Sequence, residues 1–197
     1  MQEENIDSSN NPYLLAQVRE AYGRVVYSHK IHEKQADISF VKHRRVQWTF
    51  IVLTAVSSGT FLITLMGLMF DNKATSLATS FIALLVTVMS LVTKNLNFGE
   101  EFKVHRNIAS KLWGVRESYL SLISDIMSGE IDYSQAQECR NNLQKAAQDI
   151  YSEAPRTSRK AFLRAQKGLK YNEEMTFTDN EIDLFLPRKL RITESDV

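Results

Sequence analysis

At 197 residues the chain has room for one or two domains, and a net charge of +1 gives it no overall electrostatic bias. A single cysteine, Cys139, excludes an intramolecular disulfide and suits a reducing compartment. The average composition is that of an ordinary soluble protein, but the apolar residues are concentrated in one quarter of the chain.

Residues 1–12, "MQEENIDSSNNP", are polar and acidic. They lack the basic n-region and apolar h-region of a secretory signal and read as a disordered tail. Residues 13–45 place Leu14, Val18, Ala21 or Tyr22, and Val25 at helical spacing, with Pro12 suited to a start. This cytosolic helix is expected to run on into the apolar stretch. Within it "HKIHE" sets His29, His32 and Glu33 close together, and histidines three apart can share a metal. No further ligands lie nearby, so a solvated helix face is the better account and no metal site is assigned. His43, beside Arg44 and Arg45, reads as a membrane-surface residue.

Between Val46 and Thr93 only Asp71 and Lys73 carry charge, leaving uncharged runs of 25 residues (46–70) and 20 residues (74–93). As helices these measure about 37 Å and 30 Å, against a bilayer hydrocarbon core of about 30 Å. A charge at a helix centre would cost roughly 2.5–3.5 kcal/mol, whereas in a turn at 71–73 it costs almost nothing. Soluble helices of this length carry a charged face, and neither run has one. Residues 46–93 are therefore read as a transmembrane hairpin rather than as two buried core helices. Lys30, Lys34, Lys42, Arg44 and Arg45 precede it, and Lys94, Lys103, Arg106 and Lys111 follow it. Only Lys73 lies in the turn, so the positive-inside rule puts both termini in the cytoplasm. Trp48 suits an interfacial anchor.

In the second span Ser76, Ser80, Ala83, Thr87, Ser90 and Lys94 alternate by four and three, a candidate pore lining with Lys94 at the cytosolic mouth. In the first, Thr54, Ser57 and Thr64 share a face interrupted by Phe61. The competing account is packing, since small residues let helices approach and hydroxyls bond across helices or to their own backbone. No carboxylate lies within either span, which excludes an acidic ring there.

Residues 94–187 read as a cytosolic helical module. Ile108, Leu112, Val115, Tyr119, Leu122 and Ile126 form a heptad seam ended by Gly129. That seam meets either another subunit or the chain's own helix around Val18 and Val25. A further helix, Tyr133 to Tyr151, sets Ala136, Leu143, Ala147 and Ile150 on one side, and "SEAP" stops it. "TSRKAFLRAQKG" is a short basic helix with Gly168 at its expected C′ position. Thr178 and Glu181 make a capping box for a last turn or two reaching Leu186, Pro187 ends it, and residues 188–197 form a tail. No strand pattern or internal repeat is present.

"PRTSRKAFLRAQKGLK" holds Arg156, Arg159, Lys160, Arg164, Lys167 and Lys170 and no acid, while residues 172–197 hold seven acids against three bases. One account is a solvated or headgroup-facing helix partly neutralised by its own tail. The other is an anion or partner contact, for a nucleotide or a nucleic acid. Phe162 is the one interleaved aromatic, which argues against single-strand binding. There is no phosphate-binding glycine loop, no zinc spacing and no nucleophile–His–carboxylate pattern, so neither an enzyme nor a cofactor is expected.

The order of elements, with "APRTSRKAFLRAQKGL" and "EEMTFTDNEIDLFLP" near the end, resembles the SLATT-type two-transmembrane effectors of bacterial conflict systems over residues 13–187. The resemblance implies an antiphage or self-killing role at the bacterial inner membrane. It implies a pore-forming homo-oligomer that depolarises the cell, held in check until a partner sensor or nucleotide signal triggers it. It offers no catalytic residues. The expectation is an all-α membrane protein: a cytosolic N-terminal helix, a two-helix transmembrane hairpin and a C-terminal helical module. The alternative is a membrane-anchored adaptor that tethers a cytosolic partner without forming a pore.

Overall fold

The computed structural model describes residues 11–65, 72–95 and 97–192. Among them every regular element is helical. The first helix, α1, runs unbroken over Asn11–Leu65, 55 residues or about 80 Å. Pro12 sits in its first turn, where a missing N–H leaves no bond unmade, and no proline recurs before Pro155. The expected cytosolic helix and first apolar run are thus one rod.

The second apolar helix, α2, spans Asn72–Asn95. Its start corrects the turn expected at 71–73, because Asn72 and Lys73 are already helical. Asparagine favours helix starts, and a lysine in the first turn lies at the end of the span rather than at its centre. Asp71 lies outside the described residues.

Helix α3, Phe98–Ser128, begins on the Asn97 side chain, which accepts the Glu100 N–H at 3.2 Å. It ends at Gly129, whose φ of 74° is the left-handed conformation that glycine adopts without strain. α3 runs back along α1: His43 lies against Gly99, Phe40 against Phe102, and His32 against His105. Helix α4, Tyr133–Glu153, opens with a capping box between Asp132 and Gln135.

The seam of α3 is buried inside the chain. Ile108, Leu112, Val115, Tyr119, Leu122 and Ile126 pack on Leu14, Val18 and Val25 of α1 and on Ala136 and Ala147 of α4. Each large apolar side chain so buried contributes about 1.5–3 kcal/mol. Of the two expected uses of the seam, contact with the chain's own first helix is the one seen.

Helix α5, Arg159–Lys170, turns Ala161, Ala165 and Gly168 inward at spacings of four and three and lies on α1. These small residues allow close approach. Gly168 corrects the expected cap: it lies within α5, and a Cβ there would come within 2.9 Å of the Glu174 carboxylate. Helix α6, Asp179–Phe185, carries the expected Thr178–Glu181 capping box. A 3-10 turn follows at Arg188–Leu190.

Candidate functional site

The apolar helices sort their side chains into three faces. Among the described residues, one helical stretch starting at Leu77 is long and apolar enough to cross a membrane, and none of its apolar window is buried in the protein. Ile51, Val52 and Val56 of α1 are exposed as well. A soluble core would bury such side chains. The half-buried residues of α2 include Ile82, Leu85, Met89 and Val92, and those of α1 include Val46, Phe50, Leu53 and Ser57. The two helices pack together, and these stripes are their apolar contact faces.

Ser80, Ala83, Thr87, Ser90 and Lys94 are all exposed. Each precedes a contact-face position by two residues or nearly so, about 160° around a helix of 3.6 residues per turn. The hydroxyl stripe therefore points away from α1, with exposed Leu77, Phe81, Leu84, Val88 and Leu91 on its flank. Ser76 lies in α2, but its side chain falls outside the described residues, as do those of Phe61 and Thr64. The Thr87 hydroxyl donates to the Ala83 carbonyl at 2.9 Å, and Thr54 does the same to Phe50 at 2.8 Å. Both hydroxyls are thus satisfied without water.

Where α1 passes from the C-terminal helices toward the apolar helices, a polar cluster is buried. His29, Lys30, His32, Gln35 and Ser39 from α1 and His105 from α3 are all buried. This corrects the solvated face expected for "HKIHE". His32 and His105 bond through their Nδ1 atoms at 2.9 Å. Burial, reinforced by His105 and His29, lowers the His32 pKa to about 4. Burial also lowers His29 and His105. Neutral rings suit this bond, in which one nitrogen donates and the other accepts. Among the described residues no group of three or more His, Cys, Asp or Glu side chains is arranged to hold a metal.

Gln35 ties three helices together. Its amide nitrogen donates to Ser39 and Glu101, and its oxygen accepts from the Ser158 N–H and hydroxyl, the latter at 2.6 Å. Ser158 is also the N-cap of α5. Toward the apolar end, Lys42 lies over the Phe98 ring and Arg44 over Phe40.

Glu174, in the loop between α5 and α6, meets Lys30 at 2.9 Å and Lys34 at 2.8 Å. Bonds from Lys34 and then Lys30 hold its carboxyl at about 2. Glu174 thus joins the lysines of α1 beside Gly168 of α5. Arg156, Arg159, Lys160, Arg164, Lys167 and Lys170 are all exposed, and none makes an ion pair among the described residues. Gln35, His105 and Glu174 were invisible to sequence reasoning, because their partners lie 66 to 140 residues away.

No curated protein and no solved structure matches the chain. The SMODS and SLOG-associating 2TM effector domain family 4 does match, over residues 14–181. The match runs from the first core leucine of α1 to the capping glutamate of α6, and the chain belongs to that family.

Proposed function

We propose that the protein is a membrane effector whose apolar helices form a transmembrane hairpin, with both termini in the cytoplasm. Several copies assemble around a water path that depolarises the bacterial inner membrane once a partner sensor or nucleotide signal acts on the cytosolic module. Two helices cannot enclose such a path, so the pore needs several copies. The single observation carrying this reading is the α2 hydroxyl stripe. It lies opposite the face that meets α1, ends in Lys94, and has no large apolar side chain along it. Among the described residues the stripe from Ser80 to Lys94 is exposed, which supports a use between copies. The exposed cations of α5 are a surface open to an acidic partner.

Membrane potential read by dye in cells expressing the triggered protein tests this. Thr87→Leu should abolish depolarisation while leaving insertion and oligomer size unchanged. Normal depolarisation, or a dissociated oligomer, would make the stripe a packing seam. A protein that never depolarises cells, alone or with its neighbours, would favour the tethering adaptor.

A further inference from the structure

Between α1 and α3 lies a cleft of about 920 Å³, within the usual range for small-molecule sites. Four cations line it, Lys30 and Lys34 from α1 and Lys103 and Arg106 from α3, against two acids, Glu33 and Asp37. Lys30 keeps only 9% of its side chain exposed. Arg106 has no ion-pair partner among the described residues. His29, also lining the cleft and 4% exposed, has a buried Nδ1 with no hydrogen-bond partner. Trp113 stands on the wall and is 53% exposed, an open aromatic face of the kind on which planar rings stack.

The lysine pair already holds an oxyanion, the chain's own Glu174 carboxylate. The backbone delivering it is unusual. Glu173 and Met175, on either side, have φ of 50° and 80°, a region that L side chains rarely adopt. A carboxylate on two lysines, flanked by strained residues, is a contact that a better anion can displace. A phosphate has more charge and more acceptor oxygens than a carboxylate, and Arg106 and Lys103 lie around the same cleft.

We propose that this cleft binds a phosphate-bearing anion that carries an aromatic ring, and that the anion takes Lys30 and Lys34 from Glu174. The ring lies on Trp113, the phosphate meets Lys30, Lys34 and Arg106, and the loop from Asn172 to Phe177 leaves α1. A soluble nucleotide carries both the phosphate and the ring, whereas a lipid headgroup offers the phosphate alone. The proposal rests on the nucleotide-signal part of the function proposed above, for which it names a site, and does not need the pore.

The chain has two tryptophans, so Trp48→Phe leaves Trp113 as the sole tryptophan, excited selectively at the red edge beyond tyrosine absorption. The full chain, in nanodiscs of neutral lipid, is titrated with inorganic phosphate, AMP and ATP. Saturable quenching by AMP or ATP, tighter than any effect of inorganic phosphate, is expected. Arg106→Ala should weaken binding by about tenfold, the loss of one charged hydrogen bond. Glu174→Gln should tighten it severalfold, because the internal competitor is gone. Helix content by circular dichroism confirms that each variant is folded. The absence of saturable quenching by all three probes in neutral and in anionic-lipid discs would overturn the site, and so would an affinity indifferent to Glu174→Gln. Quenching that appears only in anionic-lipid discs would overturn the soluble ligand and assign the cleft to headgroups. Depolarisation is not read in this experiment, so failure of the site and failure of the pore remain distinguishable.

Discussion

His32 and His105 meet through their Nδ1 atoms in a place that water does not reach, and this makes the module sensitive to acid. The His32 ring is held at about 4 against 6.5 in an unfolded chain. As pH falls, the unfolded chain takes up this proton first. The stabilisation is complete above about pH 6.5 and is lost as pH falls toward 4, by up to roughly 3 kcal/mol. His29 and His105 shift in the same direction and add to the effect. Urea unfolding should therefore show a lower midpoint at pH 5 than at pH 7.5. His32→Asn keeps a neutral hydrogen-bonding group and should flatten that dependence; an unchanged slope would assign the acid sensitivity elsewhere. "HKIHE" announced itself in the sequence as two histidines on one helix turn. Its meaning did not, because burial is decided by His105, 73 residues further on.

Among whole elements, the α3 seam carries the helical module. Leu112 is fully buried and Tyr119 nearly so. Leu112→Ala should cost about 2–5 kcal/mol, seen as a fall in the thermal midpoint of the helical signal. Leu112→Asp should leave the module unfolded, since a buried carboxylate without a partner is far more costly. A folded Leu112→Asp protein would mean that the core lies elsewhere. Such elements were legible because period and capping are local: the four-and-three spacing, Gly129 and the Thr178–Glu181 box are each read within a few residues. The box at Asp132 and Gln135 is equally local and was missed, being the aspartate and glutamine form of that pattern. Gly168 misled because a glycine near a helix end usually caps it. Here it makes room for Glu174, a contact that no local rule contains. For the same reason the sequence could list the α2 stripe but not tell which of its faces meets α1.

For the molecule as a whole, the sided distribution of basic residues makes the proposed topology testable. In a Cys139→Ser background, a cysteine at Asn72 should react with an impermeant thiol reagent added from outside, whereas one at Glu174 should not. External labelling at Glu174 would overturn the orientation. The unbroken α1 has a mechanical consequence. It is a shaft, with the histidine cluster and the Glu174 seat on one half and the apolar contact face on the other. With no proline to act as a swivel beyond Pro12, any turn of the N-terminal half about this axis is carried to Phe50, Leu53 and Ser57 at the same angle. Phase should then matter more than length. One alanine inserted after Arg45 rotates the far half by about 100°, while seven rotate it by only about 20° net, although they lengthen the shaft by about 10 Å. If the effector works by torque, the single insertion should silence it and the seven-residue insertion should largely spare it.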